Sequence, residues 1–238
     1  SIGRRIEDSP LSHLTATPTR HDLPFRAADF TTLTEALDYA AQGETGCNFY
    51  TGRGELYASK GYGEVRQQAL ALSKKLLGLG LAKGDRVALV AETSPEFVLF
   101  FFACQYAGLI PVALPASVKI GAHCAYVAQL QRLMEASDAA IGVASEGYLP
   151  FLQEACEGLT TRMVDTHEAF HALPAGAQDL PEISPEDIAY IQYTSGSTRF
   201  PRGVIIKHQT AMANLQGMVG PGLQMNGEDR MMSWLPYY

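Results

Sequence analysis

The feature that most constrains the fold is the alternation of short strand-like runs with helical patterns along the middle of the chain. Four runs predict strands, at residues 87–90, 109–114, 140–144 and 162–165, and the first two of these are predicted to be buried. Between them, the pattern predicts helices at residues 95–107, 123–137 and 146–155. Strands that alternate with helices form mainly parallel sheets with right-handed crossovers. We therefore predict an α/β fold with mainly parallel sheets and flanking helices.

The regions on either side of this alternation predict further elements. Before it, we expect a helix at residues 30–41, a hairpin at 48–51 and 56–59, and a helix with an apolar stripe of Val65, Ala69, Leu72, Leu76 and Leu79. After it, we expect strands at residues 188–191 and 204–206, a helix near 210–218 and a short strand at 231–234. Prolines in residues 1–29 predict an extended N-terminal arm before one domain, residues 30–238. Within that domain, residues 174–185 predict a connector to the region 186–238.

Composition excludes several classes of protein. The chain has 18 basic and 25 acidic residues, a formal charge of −7, which argues against a nucleic-acid-binding surface. Its four cysteines show neither a CxxC pair nor zinc-site spacing, so we expect no metal site on them and a reducing, cytoplasmic location. Residues 97–118 carry no charge and reach the length of a membrane span. Gly108, Pro111 and Pro115 break this stretch, so we predict a buried helix and strand and no membrane span.

One stretch between two predicted strands carries the candidate chemistry: Tyr193-Thr194-Ser195-Gly196-Ser197-Thr198-Arg199-Phe200-Pro201-Arg202-Gly203. Hydroxyls, backbone N–H groups and arginines can surround a polyphosphate, and glycine lets the backbone approach closely. A solvated hairpin turn uses similar residues, but this turn is unusually long and carries two cations. It is not a Walker A loop, because no Gly-Lys-Ser/Thr follows at the required spacing and a strand comes next. We therefore predict a phosphate-binding loop.

This loop resembles the phosphate-binding signature of the adenylate-forming, or AMP-binding, superfamily. Most members have glycine at the position of Arg199 and lysine at that of Arg202. Arginine at 199, with Gln192-Tyr193 before the loop, is more similar to the fatty acyl-AMP ligases. The resemblance runs from about residue 30 to residue 238 and includes the run Trp234-Leu235-Pro236-Tyr237-Tyr238. It covers only the N-terminal part of such a ligase, so we expect the fragment to be inactive alone.

The resemblance implies a reaction in two steps. A fatty acid and ATP, with Mg²⁺, would give an acyl adenylate and pyrophosphate. The acyl group would then pass to the phosphopantetheine thiol of an acyl carrier protein or carrier domain. An acyl-CoA ligase and a non-catalytic nucleotide- or partner-binding module remain the alternatives. The magnesium glutamate and the other catalytic groups of the family are expected beyond residue 238.

The resemblance also implies roles for individual residues. Arg202 would be the catalytic cation on the phosphates, in the place of the usual lysine. Arg199 would either contact phosphate or brace the loop. Trp234 and Tyr237 would line an acyl tunnel or be ordinary core aromatics. Cofactor binding falls on seven residues: Thr194, Ser195, Gly196, Ser197, Thr198, Arg199 and Gly203.

Three other titratable residues have competing interpretations. His208 could act as a base, but its place at the end of a predicted strand favours the start of a helix. Glu92 and Glu96 could be a catalytic pair. Their helical spacing around Pro95 favours a solvated helix start instead.

Overall fold

The computed structural model describes residues 14–18, 22–116, 122–194 and 202–238. The strands are β1 Gly46–Tyr50, β2 Leu56–Gly61, β3 Arg86–Val90, β4 Ile110–Leu114, β5 Ile141–Ala144, β6 Met163–Thr166, β7 Ile188–Thr194 and β8 Arg202–Lys207. The helices are α1 Leu33–Ala40, α2 Tyr62–Leu77, α3 Pro95–Ala107, α4 His123–Ser137, α5 Leu149–Ala155, α6 His167–His171 and α7 His208–Gly217. A π-helical turn, Met218–Gly222, follows α7.

Six of the strands form one sheet in the order β6-β5-β3-β4-β7-β8. β3 pairs in parallel with both β4 and β5, β5 with β6, and β4 with β7. β8 runs antiparallel to β7, and β1 and β2 form a separate hairpin. The predicted α/β fold, with a mainly parallel sheet and flanking helices, is therefore confirmed.

The residues of β3 alternate between the two faces of the sheet, as the period of a strand requires. Val87 and Leu89 pack in one core with α2 and α3, whereas Ala88 and Val90 pack in another core with α4 and α5. Because α3 follows β3 and α4 follows β4, the connections from these neighbouring strands go to opposite faces. Neighbouring parallel strands of this kind form a crevice at their carboxyl ends, where open α/β sheets bind ligands.

Helix α3 begins and ends at strong local signals. The Ser94 hydroxyl accepts a hydrogen bond from the Phe97 backbone N–H at 3.3 Å, and Pro95 occupies the first turn. Gly108 ends the helix with a φ of 65°, a left-handed conformation that glycine adopts at little cost. The uncharged stretch thus forms the predicted buried helix and strand. Among the described residues, no helix is both long and apolar enough to span a membrane.

The other predicted helices and strands are confirmed with small shifts at their ends, except at residues 231–234. The strand predicted there is wrong, because these residues adopt no strand conformation. Met232 is 82% exposed and Trp234 is 87% exposed. A strand needs partners for its main-chain groups, and none of the described strands pairs with this segment. The short helix α6 and the π-helical turn were not predicted.

Candidate active site

Strands β7 and β8 form the hairpin that carries the predicted phosphate loop. Their register pairs Thr194 with Arg202 and Tyr193 with Gly203. The loop leaves the carboxyl edge of the sheet, because β7 runs parallel to β4. The two strands predicted around the loop are therefore confirmed. Thr194 and Arg202 form the last pair of the strand register before the loop. The remaining predicted ligands lie outside the described residues, and their roles stay predictions: Ser195, Gly196, Ser197, Thr198 and Arg199.

Gly203 allows a close approach inside this hairpin. A Cβ atom at this position would stand 3.0 Å from Cγ2 of Ile191 and 3.1 Å from Cε1 of Tyr193. Glycine within a strand commonly marks such a close contact. A larger residue at 203 would push these two side chains away, so glycine keeps β8 packed against β7 next to the loop.

Strand β4 brings a second segment to the same edge. Val112 is level with Ile191 in the parallel register. Continued by three residues, this register places Pro115, the first residue after β4, level with Thr194 at the end of β7. Neighbouring strands lie about 4.8 Å apart. The main chain that follows β4 consequently borders the start of the predicted phosphate loop.

An apolar cavity of about 410 Å³ lies beside the hairpin, on the face of the sheet that α3 covers. Side chains of α3, β4, β7 and α7 line it, among them Phe97 and Gln192. The ring of Tyr237 also lines the cavity and stacks on Phe97, with centroids 5.0 Å apart and an interplanar angle of 17°. Trp234 is not among the lining residues and is 87% exposed. The two aromatics predicted for an acyl tunnel thus have different surroundings.

The cavity extends from the carboxyl edge of the sheet towards its amino edge. Gln192 lies near the loop, whereas Leu33 of α1 and Ala211 of α7 line the far part. There, the Leu33 backbone N–H donates to Nδ1 of His208 at 3.1 Å. His208 is the first residue of α7, which confirms the prediction of a helix start. Burial lowers the pKa of His208, in keeping with a neutral ring that accepts this hydrogen bond.

Glu96 makes a hydrogen bond to a histidine that the sequence did not reveal. Its Oε2 atom lies 2.8 Å from Nε2 of His171, in α6. The hydrogen bond from His171 is the main cause that holds the pKa of Glu96 below its usual value. Lys75 donates to the main-chain carbonyl of His171. Glu96 does lie in the first turn of α3, as predicted, but it is half-buried and tied to α6 instead of being freely solvated.

The donor sets offer no metal centre in the described part of the chain. Across residues 14–18, 22–116, 122–194 and 202–238, no three His, Cys, Asp or Glu side chains converge into a group that could hold a metal ion. The four cysteines, Cys47, Cys104, Cys124 and Cys156, are all free thiols.

Comparison of the sequence with known proteins identifies relatives along most of the chain. The profile of the family described as AMP-binding enzyme matches residues 40–238. A Caulobacter vibrioides protein, named provisionally as an acyl-CoA synthetase, is 44% identical over 231 residues, which are 95% of this chain and 39% of that protein. A long-chain-fatty-acid–AMP ligase of Mycobacterium tuberculosis is 32% identical over 193 residues, 74% of this chain and 30% of that protein.

Solved structures are similar over the same region. One, from a study of fatty acyl-adenylate ligases from E. coli and L. pneumophila, is 47% identical with a TM-score of 0.87, and the match covers 90% of this chain and 39% of that chain. A fatty acyl-adenylate ligase from L. pneumophila, in complex with acyl adenylate and pyrophosphate, is 24% identical with a TM-score of 0.64, over 81% of this chain and 33% of that one. The second likeness supports the fold alone. The chain spans 39% or less of the length of these relatives.

Proposed function

Because the chain belongs to the AMP-binding enzyme family, we propose that the protein containing it adenylates a fatty acid and transfers the acyl group to a carrier protein. In the first step, a fatty acid and ATP give acyl-AMP and pyrophosphate. In the second step, the phosphopantetheine thiol of the carrier takes the acyl group and AMP leaves. The observation on this chain that carries the proposal is the apolar cavity beside the β7–β8 hairpin, which carries the predicted phosphate loop.

Strand β7 connects the two parts of this arrangement. It leads into the predicted phosphate loop, and its residues Tyr190, Ile191 and Gln192 line the apolar cavity. Adenylation requires a carboxylate next to the α-phosphate of ATP while the acyl chain avoids water. A loop rich in donors and an apolar cavity on adjacent stretches of one strand suit both demands. The stack of Tyr237 on Phe97 would form part of the wall that the acyl chain contacts.

The chemistry requires stabilisation of negative charge near the loop. A carboxylate oxygen attacks the α-phosphorus, a P–O bond forms, and the bond to the departing pyrophosphate breaks. Arg202 stands at the mouth of the loop with an exposed side chain and a permanent charge, so it would donate to the phosphates as they separate. In the second step the thiol loses its proton, attacks the acyl carbonyl carbon and displaces AMP.

Magnesium would enter this reaction with the nucleotide. It neutralises phosphate charge in reactions of this class. The residues assigned above would act on the phosphates through N–H and hydroxyl donors. The assignment of Arg202 does not depend on a metal ligand from this chain.

An acyl-CoA ligase is the second candidate, and a specific observation favours it. The Caulobacter vibrioides relative, at 44% identity, is named provisionally as an acyl-CoA synthetase. The mycobacterial relative at 32% identity and the structural relative at 47% identity are named as ligases that form acyl adenylates. Both reactions share the adenylation step and differ in the thiol that receives the acyl group.

A competition between acceptors tests the proposal. The full-length protein, preloaded with radiolabelled fatty acid and ATP, is offered coenzyme A and a phosphopantetheinylated carrier protein at equal concentration. We expect the label on the carrier protein, with acyl-AMP released or retained when coenzyme A is the sole acceptor. Fast formation of acyl-CoA with an unlabelled carrier would replace the proposal with the second candidate. No acyl-AMP at all would contradict both.

A further inference from the structure

Two tyrosine hydroxyls hold the main chain at the carboxyl end of β4. The hydroxyl of Tyr126 donates to the Pro115 carbonyl at 2.6 Å, and the hydroxyl of Tyr148 donates to the Ala116 carbonyl at 2.9 Å. These carbonyls belong to the two residues directly after β4. Side chains from α4 and from the residue before α5 therefore hold the same short piece of backbone. We call these four residues the tyrosine clamp.

The two rings of the clamp are themselves fixed by packing. Tyr126 is only 3% exposed. Its ring lies edge-on to Tyr148, with centroids 6.1 Å apart, and edge-on to Phe151, with centroids 5.4 Å apart. Burial is the main cause that raises the pKa of both tyrosine hydroxyls. The hydroxyls therefore stay protonated and available as donors.

Tyr126 also ties together the two ends of the connection between β4 and α4. It lies in the first turn of α4, where its backbone N–H donates to the Ala122 carbonyl at 2.9 Å. Its hydroxyl meets a carbonyl 11 residues earlier, at Pro115. One side chain therefore sets the separation between the end of β4 and the start of α4.

The main chain of Pro115 and Ala116 has two neighbours that matter for the proposed reaction: the predicted phosphate loop and the crevice between β3 and β4. Pro115 is level with Thr194, so it lies next to the start of the phosphate loop. It also lies beside the crevice between β3 and β4. Across this crevice the loop after β3 is held in a similar way, because the Tyr57 hydroxyl donates to the Thr93 carbonyl at 2.6 Å.

We propose that the tyrosine clamp positions the main chain of Pro115 and Ala116, directly after β4, as a fixed wall of the site in which ATP and the fatty acid react. This inference rests on the proposed function, since the wall matters for turnover only if the loop binds the phosphates. A preorganised wall needs no rearrangement during the reaction, and a misplacement of about 1 Å can cost about 100-fold in rate. Tyr126 and Tyr148 are positioning residues, because their hydroxyls are engaged by backbone carbonyls.

The test compares two matched removals of tyrosine hydroxyls in the full-length protein. The double variant Tyr126→Phe/Tyr148→Phe removes both hydroxyls of the clamp and keeps both rings. The control Tyr39→Phe removes a hydroxyl that donates to the Pro24 carbonyl at 2.5 Å, outside the clamp and its loops. For the double variant we expect kcat of fatty-acid-dependent exchange of pyrophosphate into ATP to fall about 10-fold or more, with a smaller change in KM. The control should keep both parameters.

A second readout separates the failure of the clamp from the failure of the proposed function. Amide hydrogen exchange in peptides covering residues 111–126 should be faster in the double variant and unchanged in the control. An unchanged kcat in the double variant, or an equal loss in the control, would overturn the inference. If the wild-type protein shows no fatty-acid-dependent exchange, the proposed function fails, and the inference fails with it. Unchanged amide exchange in residues 111–126 of the double variant would show that the two hydroxyls do not hold this backbone. That result alone would overturn the inference.

Discussion

Strands β3 and β8 belong to one sheet, but their surroundings are opposite. In β3, Val87 and Val90 are 0% and 1% exposed, whereas in β8, Val204 and Ile205 are 43% and 59% exposed. Helices cover β3 on both faces, while β8 pairs only with β7 among the described strands. Packing energy is therefore concentrated in the centre of the sheet. The hairpin that carries the predicted phosphate loop depends mainly on its ladder of hydrogen bonds.

The largest expected effect is on kcat and follows from a substitution in the exposed β7–β8 hairpin. Arg202→Ala in the full-length protein should lower kcat of adenylation about 100- to 1,000-fold, as does the removal of one donor from a site of developing negative charge. Lys207→Ala, at the other end of β8, is the matched control, because Lys207 pairs with Glu186. It should leave kcat near the wild-type value. Steady-state kinetics decide the matter, and an unchanged kcat for Arg202→Ala would remove this residue from the site.

The second prediction applies the same substitution to both strands. Val87→Ala should lower the free energy of unfolding by about 1.5–3 kcal/mol, because it empties a fully buried position. Val204→Ala should change it by less than about 0.5 kcal/mol, as is usual at exposed positions. Urea denaturation of the two variants gives both values. Equal losses would show that β8 is as well packed as β3 and would break the comparison.

The third prediction concerns His208, at the base of the hairpin, where it is 2% exposed. Burial is the main cause that lowers its pKa; the charge of Asp187 raises it and that of Lys83 lowers it. The folded protein therefore binds fewer protons than the unfolded chain once the pH falls below the unfolded pKa, about 6.5. Stability should decrease there, by at most about 1.4 kcal/mol per pH unit, until the pH reaches the folded pKa.

The variant His208→Gln tests this pH dependence. It should reduce the loss of stability on acidification, because a group that titrates differently in the two states has been removed. Urea midpoints between about pH 7 and pH 5 measure the effect. An identical slope in wild type and His208→Gln would contradict it.

The central sheet was predictable from sequence because its signals are local. Helix α3 matches the predicted range to the residue, since Ser94, Pro95 and Gly108 mark its ends. Strands β3 to β6 are apolar or mixed runs between such signals. Helix α6 was missed because its five residues are too few to show a helical period. The sequence of segment 231–234 is compatible with a strand, but it says nothing about whether a partner strand is present.

The candidate site was predictable only in part, because its contacts join distant parts of the chain. The hairpin around the loop follows from two nearby apolar runs. The far part of the cavity depends on Leu33 and His208, which meet across 175 residues. The contacts of Tyr126 and Tyr148 with consecutive carbonyls depend on the placement of α4 and α5 against the end of β4. No periodicity or motif in the sequence encodes such a meeting.

The most direct test of adenylation is fatty-acid-dependent exchange of labelled pyrophosphate into ATP, measured with the full-length protein and with residues 1–238 alone. We predict exchange by the full-length protein and none by residues 1–238. The chain spans 39% of the length of the relatives that are 44% and 47% identical to it, and catalytic groups that act together lose their effect together. If residues 1–238 catalysed exchange as fast as the full-length protein, the expectation that essential catalytic groups lie beyond residue 238 would be contradicted. Absence of exchange with the full-length protein, across fatty acids of different length, would contradict adenylation itself.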